Sequence, residues 1–299
     1  MGNLDVSHQL KILRDQLHGE LFFDDLMRSI YATDASVYRT LPLAVAYPKN
    51  ETDIKLLIAF AKENKTSLIP RTAGTSLAGQ CVGEGIVVDV SKYFTDIIKF
   101  NERSKTITVQ PGVVRDELNN YLKPHGLFFG PNTSTSNRCM IGGMVGNNSS
   151  GTTSIKYGVT RDKVLEIKAI LSDGNNAVFN AISSEKFKQK MMLNSLEGNI
   201  YKTIHDELAS KEVQNRVHAE FPKPEIHRRN TGYAIDALIK SDVFSSSRVD
   251  FNMCQLLTGS EGTLAFTTEI TLQLDALPPS ESIMVAAHFD SIEKCLSAV

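Results

Sequence analysis

The chain has 299 residues, 41% of them hydrophobic, and a formal net charge of −2. That length allows a large core and two domains, while the near-neutral charge gives no argument for nucleic acid. No run of about 20 apolar residues is present to span a membrane, and Met1–Asp5 shows no signal-peptide pattern.

In chain order, Leu10, Leu13 and Leu17 recur at helical spacing between Leu4 and His18. Residues 31–47 read as mixed, becoming extended toward Pro48. A helix follows from Thr52-Asp53, with Ile54, Leu57, Ile58 and Ala61 on one face. Then come a short strand through Leu68-Ile69, a glycine-rich loop and a strand at residues 86–90. Residues 95–100 and 106–110 read as two strands joined at Asn101-Glu102-Arg103. This portion is a small α/β unit with residues 52–62 as its crossover helix.

Pro111-Gly112 breaks the pattern. Residues 115–123 read as a short helix with Leu118, Tyr121 and Leu122 inward. Residues 164–171 and 177–179 read as a hairpin around Asp173-Gly174, and residues 183–211 as charged and helical. A third small-residue turn at 257–264 leads into a strand at 265–274. Beyond Leu277-Pro278-Pro279, residues 283–289 read as a strand and 292–299 as the start of a helix.

Two stretches carry the chemistry. Gly130–Gly151 holds five Gly and four Asn but one charge, Arg138. Its order is expected from hydrogen bonds rather than apolar burial. Pro70–Gln80, PRTAGTSLAGQ, is its counterpart upstream. Glycines let backbone N–H groups approach a ligand closely, and successive N–H groups form anion-binding concavities. Ser, Thr and Asn add short donors. Together the two predict a large phosphate-bearing ligand held from two sides.

Other motifs fail on inspection. Gly74 to Gly79 has Walker spacing, but Gln80-Cys81 stands where Lys and Ser/Thr are required. Ile141–Gly146 lacks the first glycine of a dinucleotide fingerprint, and Gly259-Ser260-Glu261-Gly262 is not a G-x-S-x-G elbow. Cys81, Cys139, Cys254 and Cys295 form no C-x-x-C pair, and the seven histidines have no metal-ligand spacing. A reducing, cytoplasmic setting without a metal site is expected.

PRTAGTSLAGQ, GPNTSTSNRCMIGGMVGNNSSG, KYGVTRD and GSEGTLAFTTEITLQL follow one another within residues 41–274. In that order they resemble the FAD-binding (PCMH-type) domain of the vanillyl-alcohol-oxidase flavoprotein family. The similar branch holds D-lactate and D-2-hydroxyglutarate dehydrogenases and the glycolate oxidase flavin subunit. The resemblance implies an α+β fold, two α+β subdomains clasping FAD, plus the start of a cap domain. The expected divisions are a helical lead-in at 1–40, a first subdomain at 41–110, a second at 111–276, and the start of a truncated substrate domain at 277–299.

It also implies site roles. Arg71, Thr72, Ala73, Gly74, Thr75 and Ser76 would wrap the pyrophosphate, mainly through backbone N–H groups. Pro131, Ser134 and Thr135 match a Pro-x-x-Ser-Ser element, with Thr133 where a second proline is common. Gly142 and Gly143 would let backbone meet flavin and phosphates. Asn148 and Gly151 match the following Asn-x-x-Gly, with Ser149 and Ser150 departing from Ala-Gly. Gly158 and Ile167 would lie toward adenosine, and Glu261-Gly262 would close the pocket. FAD is expected without a covalent link, since Thr75 stands where covalent relatives carry His.

Arg229 and Tyr233, within Arg228–Tyr233, are the candidates for a place beside the flavin or an acidic substrate. Other catalytic residues are expected beyond residue 299. The implied activity is oxidation of a D-2-hydroxy acid by hydride transfer to flavin N5, with a quinone, a cytochrome or an iron–sulfur module as acceptor. The alternative is an FAD-binding subunit of a sugar-alcohol or cell-wall-precursor oxidoreductase that needs a separate chain or domain. A peripheral position at the inner membrane face is compatible with either.

Overall fold

In the computed structural model, which describes residues 3–298 except 224, 227, 230, 231 and 282, two sheets share the chain. The first is built from β1 (Glu20–Phe22), β2 (Ala44–Tyr47), β3 (Leu68–Arg71) and β4 (Ile86–Asp89), in the order β1-β2-β4-β3. β2, β4 and β3 run parallel and β1 is antiparallel to β2. β4 is Ile-Val-Val-Asp and buried throughout, the continuous apolar run that a parallel strand covered on both faces requires.

Helix α1 (Asn3–Gln16) buries Leu10 and Leu13. Helix α2 (Asp25–Ile30) is short, buries no residue and is capped by Asp24. Helix α3 (Glu51–Glu63) is the crossover between β2 and β3. Asn50 caps it by accepting from the Asp53 N–H at 3.0 Å. Ile54, Leu57, Phe60 and Ala61 are buried while Ile58 is half-buried. Each large apolar side chain stabilises the docked helix by roughly 1.5–3 kcal/mol. Asp53 itself is fully buried and accepts from the backbone N–H groups of His18, Gly19 and Lys49, which ties the chain entering β1 to the start of α3.

The second sheet has six strands: β5 (Ile97–Asn101), β6 (Thr106–Val109), β8 (Val164–Ile170), β9 (Asn176–Ile182), β10 (Phe251–Asn252) and β11 (Phe266–Gln273). Their order is β10-β9-β8-β11-β6-β5, antiparallel throughout. β7 (Leu127–Phe128) pairs separately with β12 (Asp275–Ala276). β5 and β6, read from the sequence with the first unit, hydrogen-bond to β11 in the second, so the change of sheet falls between Asp89 and Ile97 rather than at 110.

Helix α4 (Arg115–Leu122) buries Leu118 and Leu122, but Tyr121 is 44% exposed and packs edge-on to Phe100. Helix α5 (Ile141–Asn147) lies inside the polar segment, and α6 (Ser154–Tyr157) follows it. Residues 183–220 resolve into α7 (Ser184–Met191), α8 (Leu196–Leu208) and α9 (Lys211–Glu220). The strand expected at 283–289 is not formed: Ile283, Met284 and Val285 lie in the open, with no strand among the described residues to complete a ladder. Each sheet carries its own apolar core, and Ile170 and Phe266 from β8 and β11 enter the core of the first, joining the two halves.

Candidate functional site

Between the halves lies an open cleft of about 900 Å³, at the carboxyl end of β3, where open parallel sheets place their ligands. Arg71 ends β3, and the loop that follows, Thr72 to Cys81, forms one wall. Gly74 and Gly79 adopt positive φ, of 64° and 74°, which suits glycine. None of the backbone N–H groups from Thr72 to Leu77 donates to another group among the described residues. They form a row of donors awaiting an external acceptor. Arg71 is not a free cation. Its Nη1 donates to the Thr33 carbonyl at 2.8 Å and its guanidinium lies 4.9 Å from the centre of the Tyr31 ring.

The opposite wall is α5. The Gly130–Gly151 segment does bury apolar side chains, contrary to its composition: Cys139, Ile141, Met144 and Val145 all enter the core of the second half. Those anchors set the glycines at points of close approach. A Cβ on Gly142 would stand 2.4 Å from Pro111 Cβ, so the helix sits directly on the backbone entering α4. A Cβ on Gly143 would stand 2.6 Å from Thr72 Oγ1, so here the two glycine-rich walls meet. Gly143 has an ordinary helical backbone, so close approach alone explains it.

The third side is the turn before β11. Glu261 holds a left-handed φ of 54°. Its Oε1 accepts from Asn147 Nδ2 at 3.1 Å and from Gln80 Nε2 at 3.4 Å, joining α5 to the first loop. Burial pushes its carboxyl upward, partly opposed by those two amides. Gly262 closes the corner against Pro70.

Of the sequence-derived site residues, Arg71, Thr72, Ala73, Gly74, Thr75, Ser76, Ser134, Thr135, Gly142, Gly143, Glu261 and Gly262 converge on this cleft. Pro131, Asn148, Gly151, Gly158 and Ile167 stand behind it. The Pro131 carbonyl accepts from Arg115 Nε, and Gly151 lets the chain pass against Asn132. Asn148 is buried and accepts from the Arg161 N–H, while Arg161 donates to the Thr258 carbonyl at 2.6 Å, so the pair braces the third turn. Gly158 ends α6 at φ 76°, and Ile167 is a core residue of β8.

Arg229 and Tyr233 do not line the main cleft itself. Arg229 pairs with Asp236 beside a second cavity and, with Arg228, also lines a smaller pocket that shares Thr133, Asn147 and Ser149 with the cleft. The Tyr233 hydroxyl shares a hydrogen bond with Thr263. Within Arg228–Tyr233, positions 230 and 231 lie outside the described residues. The sequence reading missed Ile30, Thr33, Asp34 and Ala35, which line the cleft from the N-terminal lead-in, and Gln80 and Asn147, which hold Glu261. Asp34-Ala35-Ser36 carries a readable signal, an Asx-type turn in which Asp34 Oδ1 accepts from the Ser36 N–H.

An unpaired row of N–H groups, glycine where a side chain would block close approach, and a long cleft with few free charges fit an extended dinucleotide with a diphosphate. Residues 42–179 match the family described as the FAD binding domain. That stretch is similar to the FAD binding domain of flavoproteins, a domain whose cofactor is FAD. Among its relatives, D-2-hydroxyglutarate dehydrogenase of Escherichia coli K12 is 37% identical over 90% of this chain and 26% of its own length. Glycolate oxidase subunit GlcD of Bacillus subtilis is 35% identical over 57% of this chain and 36% of its own. In fold, the chain resembles a solved alkyldihydroxyacetonephosphate synthase, with a TM-score of 0.60 at 17% identity over 94% of this chain and 42% of that one. The chain thus spans about a quarter of the length of the dehydrogenase it matches.

Proposed function

We propose that this chain is the cofactor-holding part of a flavin-dependent dehydrogenase that oxidises a D-2-hydroxy acid. The observation that carries the reading is the row of unused N–H groups from Thr72 to Leu77, facing α5 across the cleft, in a chain similar to D-2-hydroxyglutarate dehydrogenases. FAD, when bound, supplies the hydride acceptor. The backbone of Thr72–Ser76 holds the diphosphate, and Gly142 and Gly143 admit it and the flavin. Ser134 and Thr135 add hydroxyl donors, and Glu261-Gly262 closes the end of the cleft. We place the boundary between the two cofactor-binding subdomains in residues 90–96, where the chain changes sheet.

Attachment is read as non-covalent. Thr75 offers no imidazole, and burial and Asp34 push the Cys81 thiol up to about 11, although Arg71 pulls it down, so it is a poor nucleophile. No helix among the described residues is long and apolar enough to cross a membrane. The four cysteines are unpaired, which favours a reducing compartment such as the cytoplasm. The electron acceptor is a quinone, a cytochrome or an iron–sulfur module.

No histidine is among the described cleft-lining residues, Arg71 is engaged by Thr33 and Tyr31, and the other cleft-lining cation, Arg138, is exposed and donates to the Asn137 side chain. The base for the hydroxyl proton and the clamp for the carboxylate are therefore assigned to parts of the protein other than this cleft. The test is anaerobic mixing of the full-length flavoprotein with D-2-hydroxyglutarate, D-lactate and glycolate. At least one should bleach the oxidised flavin at an enzymatic rate, while the FAD-loaded 299-residue stretch should keep its colour with all three. Bleaching only by a sugar alcohol would overturn the substrate class.

A further inference from the structure

We infer that the segment Ile30–Arg39, which lies ahead of the FAD-binding family region, is a wall of the cofactor cleft and that its Asp34 and Tyr31 are positioning residues for the first glycine-rich loop. The inference rests on the FAD reading of that cleft. The family region begins at residue 42, yet Ile30, Thr33, Asp34 and Ala35 line the same cavity as the loop.

The segment is a strap with its own closure. Thr33 bridges Arg39 in antiparallel fashion, and the Thr40 N–H donates to the Ala32 carbonyl at 2.9 Å. It then grips the loop at four places. The Thr33 carbonyl accepts from Arg71 Nη1, and the Tyr31 ring lies under the Arg71 guanidinium. Asp34 Oδ2 accepts from the Cys81 thiol at 3.7 Å, and Tyr38 packs so closely on Gly79 that a Cβ there would stand 2.8 Å from its ring. Tyr31 is fixed in turn, since its hydroxyl donates to Asp89 Oδ2 at 2.7 Å and meets the Tyr47 hydroxyl.

This matters because the loop has little internal bracing. Between Thr72 and Cys81 the loop is braced by the Ser76 hydroxyl, which accepts from the Ala78 and Gln80 N–H groups, by the Gly79 carbonyl, which accepts from the Val82 N–H, by the Gln80 side chain on Glu261, and by the contacts of the strap. A loop whose N–H groups are reserved for a ligand cannot also spend them on its own fold. Its shape has to be imposed through side chains and carbonyls, and the strap supplies those. Burial tends to raise the Asp34 carboxyl, but the Ser36, Cys81 and Ser76 donors together hold it below its ordinary range. Asp34 is therefore an ionised acceptor at neutral pH. It holds the far end of the loop through the Cys81 thiol and uses none of the loop's backbone N–H groups to do so.

The experiment is a flavin-fluorescence titration of the apo chain and of Asp34→Ala, Asp34→Asn and Tyr31→Phe. Each is paired with a thermal melt and with the rate of Cys81 alkylation followed by peptide mass. Asp34→Ala should weaken FAD binding by about 30-fold and raise Cys81 alkylation by about tenfold or more, with the apo melting temperature little changed. Asp34→Asn, which keeps the acceptor oxygen, should restore affinity to within about threefold of the parent, and Tyr31→Phe should weaken it by about fivefold through the lost anchor. If the parent binds FAD and both Asp34→Ala and Tyr31→Phe bind it equally well with Cys81 still protected, the strap has no positioning role. If Asp34→Ala does not fold, Tyr31→Phe and Asp34→Asn decide by the same measures. Failure of the parent itself to bind FAD would instead remove the cofactor reading of the cleft.

Discussion

The two glycine-rich walls share a composition but are ordered by opposite means. Ile141–Asn147 is a helix pinned by Ile141, Met144 and Val145 in an apolar core; Gly142 lets it sit on Pro111, and Gly143 leaves a smooth, exposed spot facing Thr72. Thr72–Cys81 has no helix and few bonds of its own, and Gly74 and Gly79 serve its backbone turns. One wall is rigid because of what it buries, the other because of what grips it from outside. A diphosphate site can use both: the buried wall sets position, and the gripped wall supplies free donors.

The sharpest way to break the comparison is to fill the smooth wall. Gly143→Val places a branched side chain on Thr72, where overpacking costs about 3 kcal/mol or more, and about 100-fold in Kd is the minimum expected loss. A flavin titration should show no measurable binding, and near-parent affinity would mean the two walls do not meet around the cofactor.

The next largest effect concerns the first half as a whole, which depends on buried acceptors. Asp53→Ala leaves the His18, Gly19 and Lys49 N–H groups without their carboxylate, a loss of about 3 kcal/mol. The pH dependence follows. Burial would raise the Asp53 carboxyl, but those N–H groups and the His18 ring outweigh it and leave it lowered. A lowered carboxyl stabilises the fold above its unfolded value, and that stability is lost as pH falls through the acid range. Melting temperature measured from pH 7 down to pH 3 should fall more steeply for the parent than for Asp53→Ala, and parallel curves would contradict this.

Smaller is the effect of the gripped wall's one cation. Arg71→Ala removes a charge-assisted contact and its stacking on Tyr31 but leaves the N–H row intact. About tenfold weaker binding is expected, less than for Gly143→Val. An Arg71→Ala variant that binds worse than Gly143→Val would reverse the assignment of the two walls. The least disruptive probe is acid precipitation of the FAD-loaded chain, which should release all yellow colour to the supernatant. Colour kept in the pellet with a flavin-sized mass on a Cys81 or Cys139 peptide would contradict the non-covalent reading.

Much of this was legible in the residues, and the gaps have physical causes. β-Branched runs such as Ile86–Val88 and the spacing of Ile54, Leu57 and Ala61 announced their strand and helix, because local pattern and tertiary burial agree there. The helix at Ile141–Asn147 was not announced, since three glycines lower helix propensity and only tertiary burial of its apolar residues overrides that. The sheet to which residues 97–109 belong depends on pairing with β11, more than 150 residues away, which no local pattern encodes. Tyr121 has inward spacing but finds Phe100 and His125 at the surface instead. The glycine-rich motifs named the cleft's two long walls, whereas the strap at Ile30–Arg39 offers only a short Asx-type turn signal at Asp34-Ala35-Ser36, and its place on the cleft shows only in what it touches.

The central claim is that the row of N–H groups and the smooth face of α5 together hold one FAD. The most direct measurement is a calorimetric titration of the apo chain with FAD, run beside Gly143→Val. The account predicts saturation at about one FAD per chain for the parent and no heat of binding for Gly143→Val while that variant still melts cooperatively. Equal binding by both proteins, or none by the parent, would contradict it.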